Sequence, residues 1–161
     1  MADRDYFLKI DGIDGESADS KHKGEIDIDS FSFGVSNAGS MAIGGGGGSG
    51  RAHFQDVTVT KSVDKSSAKL MLTCASGQHI KKAVLTCRKA GGEQMEYLVI
   101  TMEDLLISSF QDGGGGGGLM PSESLSINYA KISYDYTPQS ATGGAEGKVS
   151  AAWDVRGNVK A

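Results

Sequence analysis

The stretch VLTCRKAGGEQMEYLVITMEDLLISS, from Val84 to Ser109, decides the fold class. It contains two β-rich runs joined by a short segment with the glycine pair Gly91–Gly92, which predicts a β-hairpin. The returning run is apolar on both alternating phases, with Met95, Tyr97 and Val99 on one and Leu98, Ile100 and Met102 on the other. A strand with one face in water would alternate apolar and polar residues instead. We therefore expect this strand to be covered on both faces, once by its own domain and once by something else, as in a β scaffold that assembles.

Length and charge exclude several classes of protein. A chain of 161 residues fits a single domain, 1–161, that is large enough to bury a core. Its formal net charge of −4 argues against a nucleic-acid partner. No apolar run is long enough to cross a bilayer, so we expect no membrane insertion. The N-terminus carries acids where a secretory signal would carry bases, so we expect folding in the cytoplasm and any export by a route that reads no N-terminal signal.

Two predicted strands change their apolar phase part-way along. In the run from Glu25 to Ser36 the apolar residues are Ile26 and Ile28, then Phe31, Phe33 and Val35. In the run from Ser124 to Thr137 they are Leu125, Ile127 and Tyr129, then Ile132, Tyr134 and Tyr136. Because side chains alternate strictly along a strand, each change indicates a bulge or a strand that crosses between sheets. In the first run we place it at Asp29–Ser30.

The remaining pattern is mainly β. Further strands are predicted over Asp5–Asp11, over Ala52–Val63 and around Val149–Val155, and one helix over Ser66–Ala75, ended by Gly77. The apolar stripe predicted to bury that helix consists of Ala68, Met71, Leu72 and Ala75. About seven strands and a single helix predict a closed or two-sheet β-barrel with the helix packed on its side. The two phase changes favour the barrel.

Glycine runs mark two loops. The loop Asn37–Gly50 contains Gly44–Gly48 in a row, and Met41 and Ile43 are isolated apolar residues within it. A phosphate-binding loop is a poor match, because Arg51 stands where that motif needs lysine. A flexible loop and a loop ordered by a partner are the alternatives, and we favour the partner because exposed apolar residues need a cover. The run Gly113–Gly118 is predicted to end a strand.

No residues form a recognisable catalytic or metal site. His22, His53 and His79 lie beside no cysteine or acid at ligand spacing, and zinc needs about four ligands. Cys74 and Cys87 are expected to be buried thiols in a reducing compartment. No nucleophile, base and oxyanion donor can be assembled, so we predict no catalytic residue, no cofactor and no enzyme.

Alternation places a set of small polar residues together. Ser32 lies between Phe31 and Phe33 and must point to the opposite face from both. Thr58, Thr60 and Ser62 form a polar row on the strand Ala52–Val63. An ordinary solvent-facing surface is the simplest interpretation of these residues.

Several stretches spread over nearly the whole chain share one order and spacing: Phe7–Ile13, Ser32–Ser36, Val63–Ser67, Leu85–Gly92, Asn128–Ile132 and Trp153–Val155. The stretch Arg88–Glu93, which follows a predicted strand, is quite specific. In these stretches the chain resembles the hemolysin-coregulated proteins (Hcp) of bacterial type VI secretion systems. The chain departs from the family pattern at Phe31 and Phe33, where tryptophans are common, and in the length of the run Gly113–Gly118.

The resemblance implies a phage tail-tube-like subunit that forms homohexameric rings, stacked into a hollow tube. Its implied partners are other copies of itself, a contractile sheath around the tube, a spike protein at the tube tip and small secreted effectors in the lumen. The tube would assemble in the cytoplasm and leave by the type VI route. Ser32, Thr58, Thr60 and Ser62 would then line the lumen, and Met41, Ile43, Gly45, Gly50 and Arg51 would form a loop that reaches a neighbouring subunit.

Two other functions remain open from the sequence alone. A phage-type tail tube protein would have a similar fold and similar partners. A monomeric ligand-binding β-barrel would have a closed interior cavity and would remain a monomer in solution.

Overall fold

The computed structural model describes residues 4–39, 49–91, 94–140 and 147–161. The elements in chain order are β1 Arg4–Ile10, β2 Ile26–Ile28, β3 Ser30–Ser32, β4 Val35–Gly39, β5 Ser49–Phe54, β6 Val57–Ser62, α1 Ser67–Ser76, β7 Ile80–Lys89, β8 Glu96–Gly113, β9 Ser122–Tyr136, β10 Val149–Asp154 and β11 Val159–Lys160. The protein is mainly β with one helix, as predicted.

The hairpin predicted from the opening stretch is confirmed. β7 and β8 pair antiparallel, with Leu85 opposite Ile100. Leu98, Ile100 and Met102 on β8 are buried in the core, whereas Tyr97 and Val99 on the other phase are half-buried. The core of the protomer therefore covers one face of this strand. That something else covers the other face remains a prediction.

Both phase changes mark a strand that passes from one partner to another. β2 pairs with β1 while β3 pairs with β6, and Asp29 between them donates its backbone N–H to the carbonyl oxygen of Thr60 at 2.8 Å. β9 pairs with β6 as far as Ile127 and with β10 from Lys131 onward. The apolar phase shifts at each place because the core lies on a different side of the chain after the crossing.

The hydrogen-bonded sheet is an open path rather than a closed barrel. Its order is β11-β10-β9-β8-β7-β1-β2, with β6 and β3 branching from β9. The strand β2 at one end of the path is joined to the branch strand β3 through the continuous chain at Asp29, and no ladder pairs β2 with β6 among the described residues. The described strands therefore do not confirm the predicted closure.

A separate two-stranded sheet stands where a long loop was expected. β4 and β5 pair antiparallel and form this sheet, and residues 40–48 between them lie outside the described residues. Gly50 is required for the pairing, because a Cβ there would lie 2.8 Å from the carbonyl oxygen of Ala38. The strand predicted over Ala52–Val63 is accordingly two strands, interrupted at Gln55–Asp56.

The helix is confirmed but its predicted buried face is wrong. Gly77 ends α1 in the left-handed conformation, with φ of 64°, and its N–H donates to the carbonyl oxygens of Thr73 and Cys74. Met71 and Leu72 are 57% and 64% exposed. The residues that α1 buries are instead Ser67, Leu70 and Thr73.

A buried ion pair explains the polar face of the helix. Lys61 and Glu123 are fully buried, and Lys61 Nζ lies 2.6 Å from Glu123 Oε2 and 3.0 Å from Asp64 Oδ1. Lys61 Nζ also donates to Ser67 Oγ at 3.3 Å, so the first turn of α1 needs a hydroxyl at this point. Burial raises the pKa of Glu123 and outweighs the opposing effect of Lys61. Burial also acts to raise the pKa of Asp64, but hydrogen bonds from Ser66 and Lys61 outweigh it and lower that pKa.

A second charged network fixes the loop between β1 and β2. Arg88 on β7 is buried and forms ion pairs with Asp5 and Asp19. His22 stacks on the Phe7 ring with centroids 4.4 Å apart, and its ring nitrogens lie 2.9 Å from Glu25 and 2.7 Å from Glu96. The Arg88 guanidinium, hydrogen-bonded to Asp19, holds the pKa of that carboxyl well below its ordinary value.

The ion pair under the helix gives a stability prediction. Lys61→Met should lower the free energy of unfolding by about 3–5 kcal/mol, because it leaves a buried carboxyl without its partner. Lys61→Met/Glu123→Leu should recover most of that loss, since it removes both charges. Urea denaturation measures all three proteins, and a double variant as unstable as the single one would contradict this role of the pair.

The Arg88–Asp19 pair gives a pH dependence with a defined sign. Since the folded-state pKa of Asp19 is below its unfolded value, its contribution is complete above a pH of about 5 and is lost gradually as the pH falls through the unfolded-state pKa towards the folded-state pKa. Asp19→Asn should therefore destabilise the protein at pH 6 and by a smaller amount at pH 3, where part of the contribution is already lost. Urea denaturation at both pH values tests this, and an equal difference at the two would count against it.

Candidate functional site: a hydroxyl-lined sheet face

Four strands form an antiparallel patch with two different faces. They are β3, β6, β9 and the second half of β8, and one row across them reads Ser32, Thr58, Ser126, Ser109. Val57, Val59, Leu125, Ile127 and Ile107 point to the other side, where they are buried in the core. The patch therefore separates the hydrophobic core from a polar surface.

We call that polar surface the hydroxyl face. Its members are all small or uncharged polar residues: Ser30, Ser32, Thr58, Thr60, Ser62, Ser109, Gln111, Ser122, Ser124 and Ser126. They share a side because residues directly opposite in an antiparallel pair point the same way. No ionisable side chain interrupts these rows, so the face presents neutral hydrogen-bonding groups only.

Hydrogen bonds between strands order part of this face. Ser30 Oγ lies 2.5 Å from Thr60 Oγ1, and Thr58 Oγ1 lies 2.9 Å from Ser126 Oγ. A hydroxyl that donates to another hydroxyl still has lone pairs to accept a further hydrogen bond. The face can therefore bind polar groups weakly at many points.

The structure brings together the polar residues singled out in the sequence. Ser32 lies directly opposite Thr58, while Thr60 and Ser62 continue the row along β6. Sequence reasoning missed the residues that β8 and β9 contribute. Their signal was the alternation of Ser122, Ser124 and Ser126 with the buried phase of the same strand.

Both sides of the hydroxyl face end in strand edges. The ladder between β7 and β8 ends at Ile80 opposite Leu105, so within the described ranges residues 106–113 pair only with β9. β3 pairs only with β6 among the same residues. The register shift between Ile107 and Ser109 leaves Ser108 as a bulge on the β8 edge. Unpaired edges of this kind are templates for another strand.

A turn at the end of the face is held by one carboxylate. Ser108 Oγ donates to Asp56 Oδ2 at 2.5 Å, and Asn128 Nδ2 donates to Asp56 Oδ1 at 2.8 Å. The Tyr129 hydroxyl donates to the carbonyl oxygen of Gln55 at 2.7 Å. Burial, together with the nearby charge of Asp56, raises the pKa of Tyr129 to about 12. These contacts fix the point at which the chain leaves β5 and enters the hydroxyl face.

The residues predicted to reach a neighbouring subunit are only partly described. Gly50 and Arg51 lie on β5, and Arg51 Nη2 donates to the carbonyl oxygens of Val155 at 3.4 Å and Arg156 at 3.5 Å in the same chain. Met41, Ile43 and Gly45 lie outside the described residues. A contact with another subunit through this segment stays a prediction.

Two further observations concern other kinds of site. Within the described ranges, no group of three or more histidines, cysteines or acids is placed to hold a metal ion. No helix in the part of the chain that the structure describes is long and apolar enough to span a membrane.

Comparisons with known proteins agree on one family. Residues 7–136 match the family model described as "Type VI secretion system effector, Hcp". The chain is 47% identical to Protein hcp1 of Pseudomonas aeruginosa over 159 residues, which is 98% of each chain.

Solved structures show the same likeness. One titled "Structure of a type six secretion system protein" has a TM-score of 0.93 at 31% identity, covering 98% of this chain and 99% of the other. Hcp1 from Salmonella typhimurium has a TM-score of 0.82 at 32% identity, covering 99% of this chain and 100% of the other. The chain therefore belongs to the Hcp family of type VI secretion system proteins.

Proposed function

We propose that six copies of this chain close into a ring whose inner wall is the hydroxyl face, and that such rings stack into a hollow tube. The observation that carries this proposal is the pair of strand edges on either side of that face, β3 and residues 106–113 of β8. Each edge leaves backbone N–H and C=O groups without a strand partner in the described protomer. Pairing the edge of one copy with that of the next satisfies both.

Strand direction is compatible with this closure. β3, β6, β9 and β8 alternate in direction across the face, so the β8 of one copy runs antiparallel to the β3 of the next. Because each copy contributes an even number of strands, the alternation is kept all the way round. The number six comes from the family. Six such patches at a strand spacing of about 4.8 Å give a wall of about 24 strands and a backbone diameter of roughly 37 Å.

The outer surface of the ring follows from the same geometry. α1 packs against the core on the side away from the hydroxyl face, because its buried residue Leu70 joins the core cluster. The exposed side of α1 therefore faces outward, where a contractile sheath would surround the tube. A spike protein would cap one end, and the tube would be assembled in the cytoplasm and secreted by the type VI route.

The lumen would suit small secreted effectors. Its hydroxyls offer many weak hydrogen bonds of about 0.5–1.5 kcal/mol each, none of which needs a charged partner. Short side chains leave the wall smooth, so a cargo is held by many copies at once and is released without breaking a deep pocket. The smoothness of this wall depends on Ser32 and its neighbours remaining small.

Ring closure is tested at the bulge on the β8 edge. Ser108→Pro should give a folded monomer, because proline is tolerated at an edge bulge but blocks a strand that approaches from outside. Ser108→Ala is the matched control, since it loses the same hydrogen bond to Asp56 and should still form rings. Light scattering after size exclusion gives the masses. Rings of unchanged mass in the proline variant would argue against this edge as the contact.

Cargo retention is tested at Ser32. Ser32→Gln should leave the ring intact but lower the amount of a co-expressed type VI effector that is purified with it, because six long side chains then project into the lumen. Ser76→Gln, on the exposed end of α1, is the control with the same change on the outer surface. Equal effector recovery from both variants would reject a lumenal position for Ser32.

A further inference from the structure

The loop between β8 and β9 carries an exposed apolar tip. Leu119 and Met120 are 87% and 65% exposed at the end of the run Gly113–Gly118. The glycines before them have no side chains to cover this pair, and Pro121 follows directly. We call Leu119 and Met120 the apolar tip. Two adjacent large apolar side chains held in water on a projecting loop indicate a surface that is covered in the assembled protein.

The protomer also has an exposed apolar groove at the base of the β4–β5 sheet. Phe33, Val35, Phe54, Ile132, Tyr134 and Trp153 form its walls, and Ala151 and Ala152 complete them. The cavity has a volume of about 290 Å³ and contains no charged side chain. An apolar cavity of about 150 Å³ accommodates a benzene ring, so this groove has room for two aliphatic side chains.

The tip and the groove lie at opposite ends of the hydroxyl face. The tip follows the pair Gly113–Ser122, at the end of the face where Ser62 lies. The groove begins at Phe33, immediately after Ser32 at the other end. Along β9 the chain travels about 40 Å between Ser122 and Tyr134. The tip is exposed in the protomer and is not among the residues that line the groove, so a second copy is needed to bring the two surfaces together.

We propose that Leu119 and Met120 of one copy bind in the apolar groove of a copy in the next ring. This proposal rests on the ring described above. In a closed ring the hydroxyl faces form one wall, so all tips lie at one rim and all grooves at the other. A contact between unlike surfaces repeats without limit in one direction. Rings therefore stack head to tail, and the tube grows with a single polarity.

The chemistry of both surfaces defines how stacking responds to salt. Neither the apolar tip nor the groove carries a charge, so screening by sodium chloride should leave stacking intact. Ammonium sulfate should lengthen the tubes, because sulfate strengthens the burial of apolar surface. A contact built from ion pairs would show the opposite response to sodium chloride, with tubes that dissociate into rings.

The first experiment removes the tip. Leu119→Ser/Met120→Ser should form rings of the same mass as the unmodified protein, but the protein concentration needed for tubes should rise about tenfold or more. Met71→Ser/Leu72→Ser is the matched control, because it removes the same two residue types from an exposed surface of the helix, at 57% and 64% exposure. Val35→Asp in the groove should reproduce the loss. Sedimentation and electron microscopy measure tube formation, and tubes unaffected by the tip variant would overturn the proposal.

The second experiment identifies the partner. Rings of Met120→Cys and rings of Ala151→Cys, both with Cys74→Ser, are prepared separately, mixed and oxidised with copper phenanthroline. A disulfide-linked dimer that forms only in the mixture supports contact between rings. If Met120→Cys/Ala151→Cys instead links neighbours within isolated rings, the groove is filled laterally and the proposal is wrong. A chain that never forms rings in either preparation would refute the ring itself, which keeps the two failures distinguishable.

Discussion

Unpaired backbone groups along two strand edges are templates for a further strand, and the proposed assembly depends on them. β3 and the second half of β8 bound a patch whose one side is the hydrophobic core and whose other side is lined with hydroxyls. A soluble monomer would protect such edges with charge, proline or a covering segment. Here the edges flank small neutral residues, and the four strands of the patch alternate in direction. The arrangement of the core, the helix and the polar face is therefore compatible with the closed ring that we propose.

The interior of the protomer is organised to hold this patch rigid. β9 pairs with β6 of the patch in its first half and with β10 in its second half, so it joins the patch directly to the rest of the same sheet. Lys61 and Glu123 lie on neighbouring strands of the patch and join it to the first turn of α1 through Ser67. The Arg88 network does the same for the loop between β1 and β2. Charged groups in the interior thus fix the relative positions of elements whose apolar contacts alone would allow sliding.

Much of this fold could be predicted from the sequence, because strand alternation is a strict rule. The hairpin of β7 and β8, the crossing at Asp29 and the end of α1 at Gly77 all followed from spacing or from the conformational freedom of glycine. The buried side of α1 did not, since Ser67 and Thr73 are polar and their burial depends on Lys61, which is adjacent only in three dimensions. More than half of the hydroxyl face was also missed, namely Ser30 and the residues that β8 and β9 contribute. The residues that lie opposite a serine on a neighbouring strand can be identified only when the register is known. The register between β6, β9 and β8 joins residues far apart in the sequence, so the sequence pattern alone does not define it.

A cryo-electron microscopy reconstruction of the purified protein tests the ring most directly, because it shows which strands meet between copies. The arrangement described above predicts a six-fold ring in which residues 106–113 of one copy lie about 4.8 Å from β3 of the next, with serine and threonine side chains facing the central opening. A reconstruction in which both edges face solvent, or in which the copies meet through other surfaces, would contradict it.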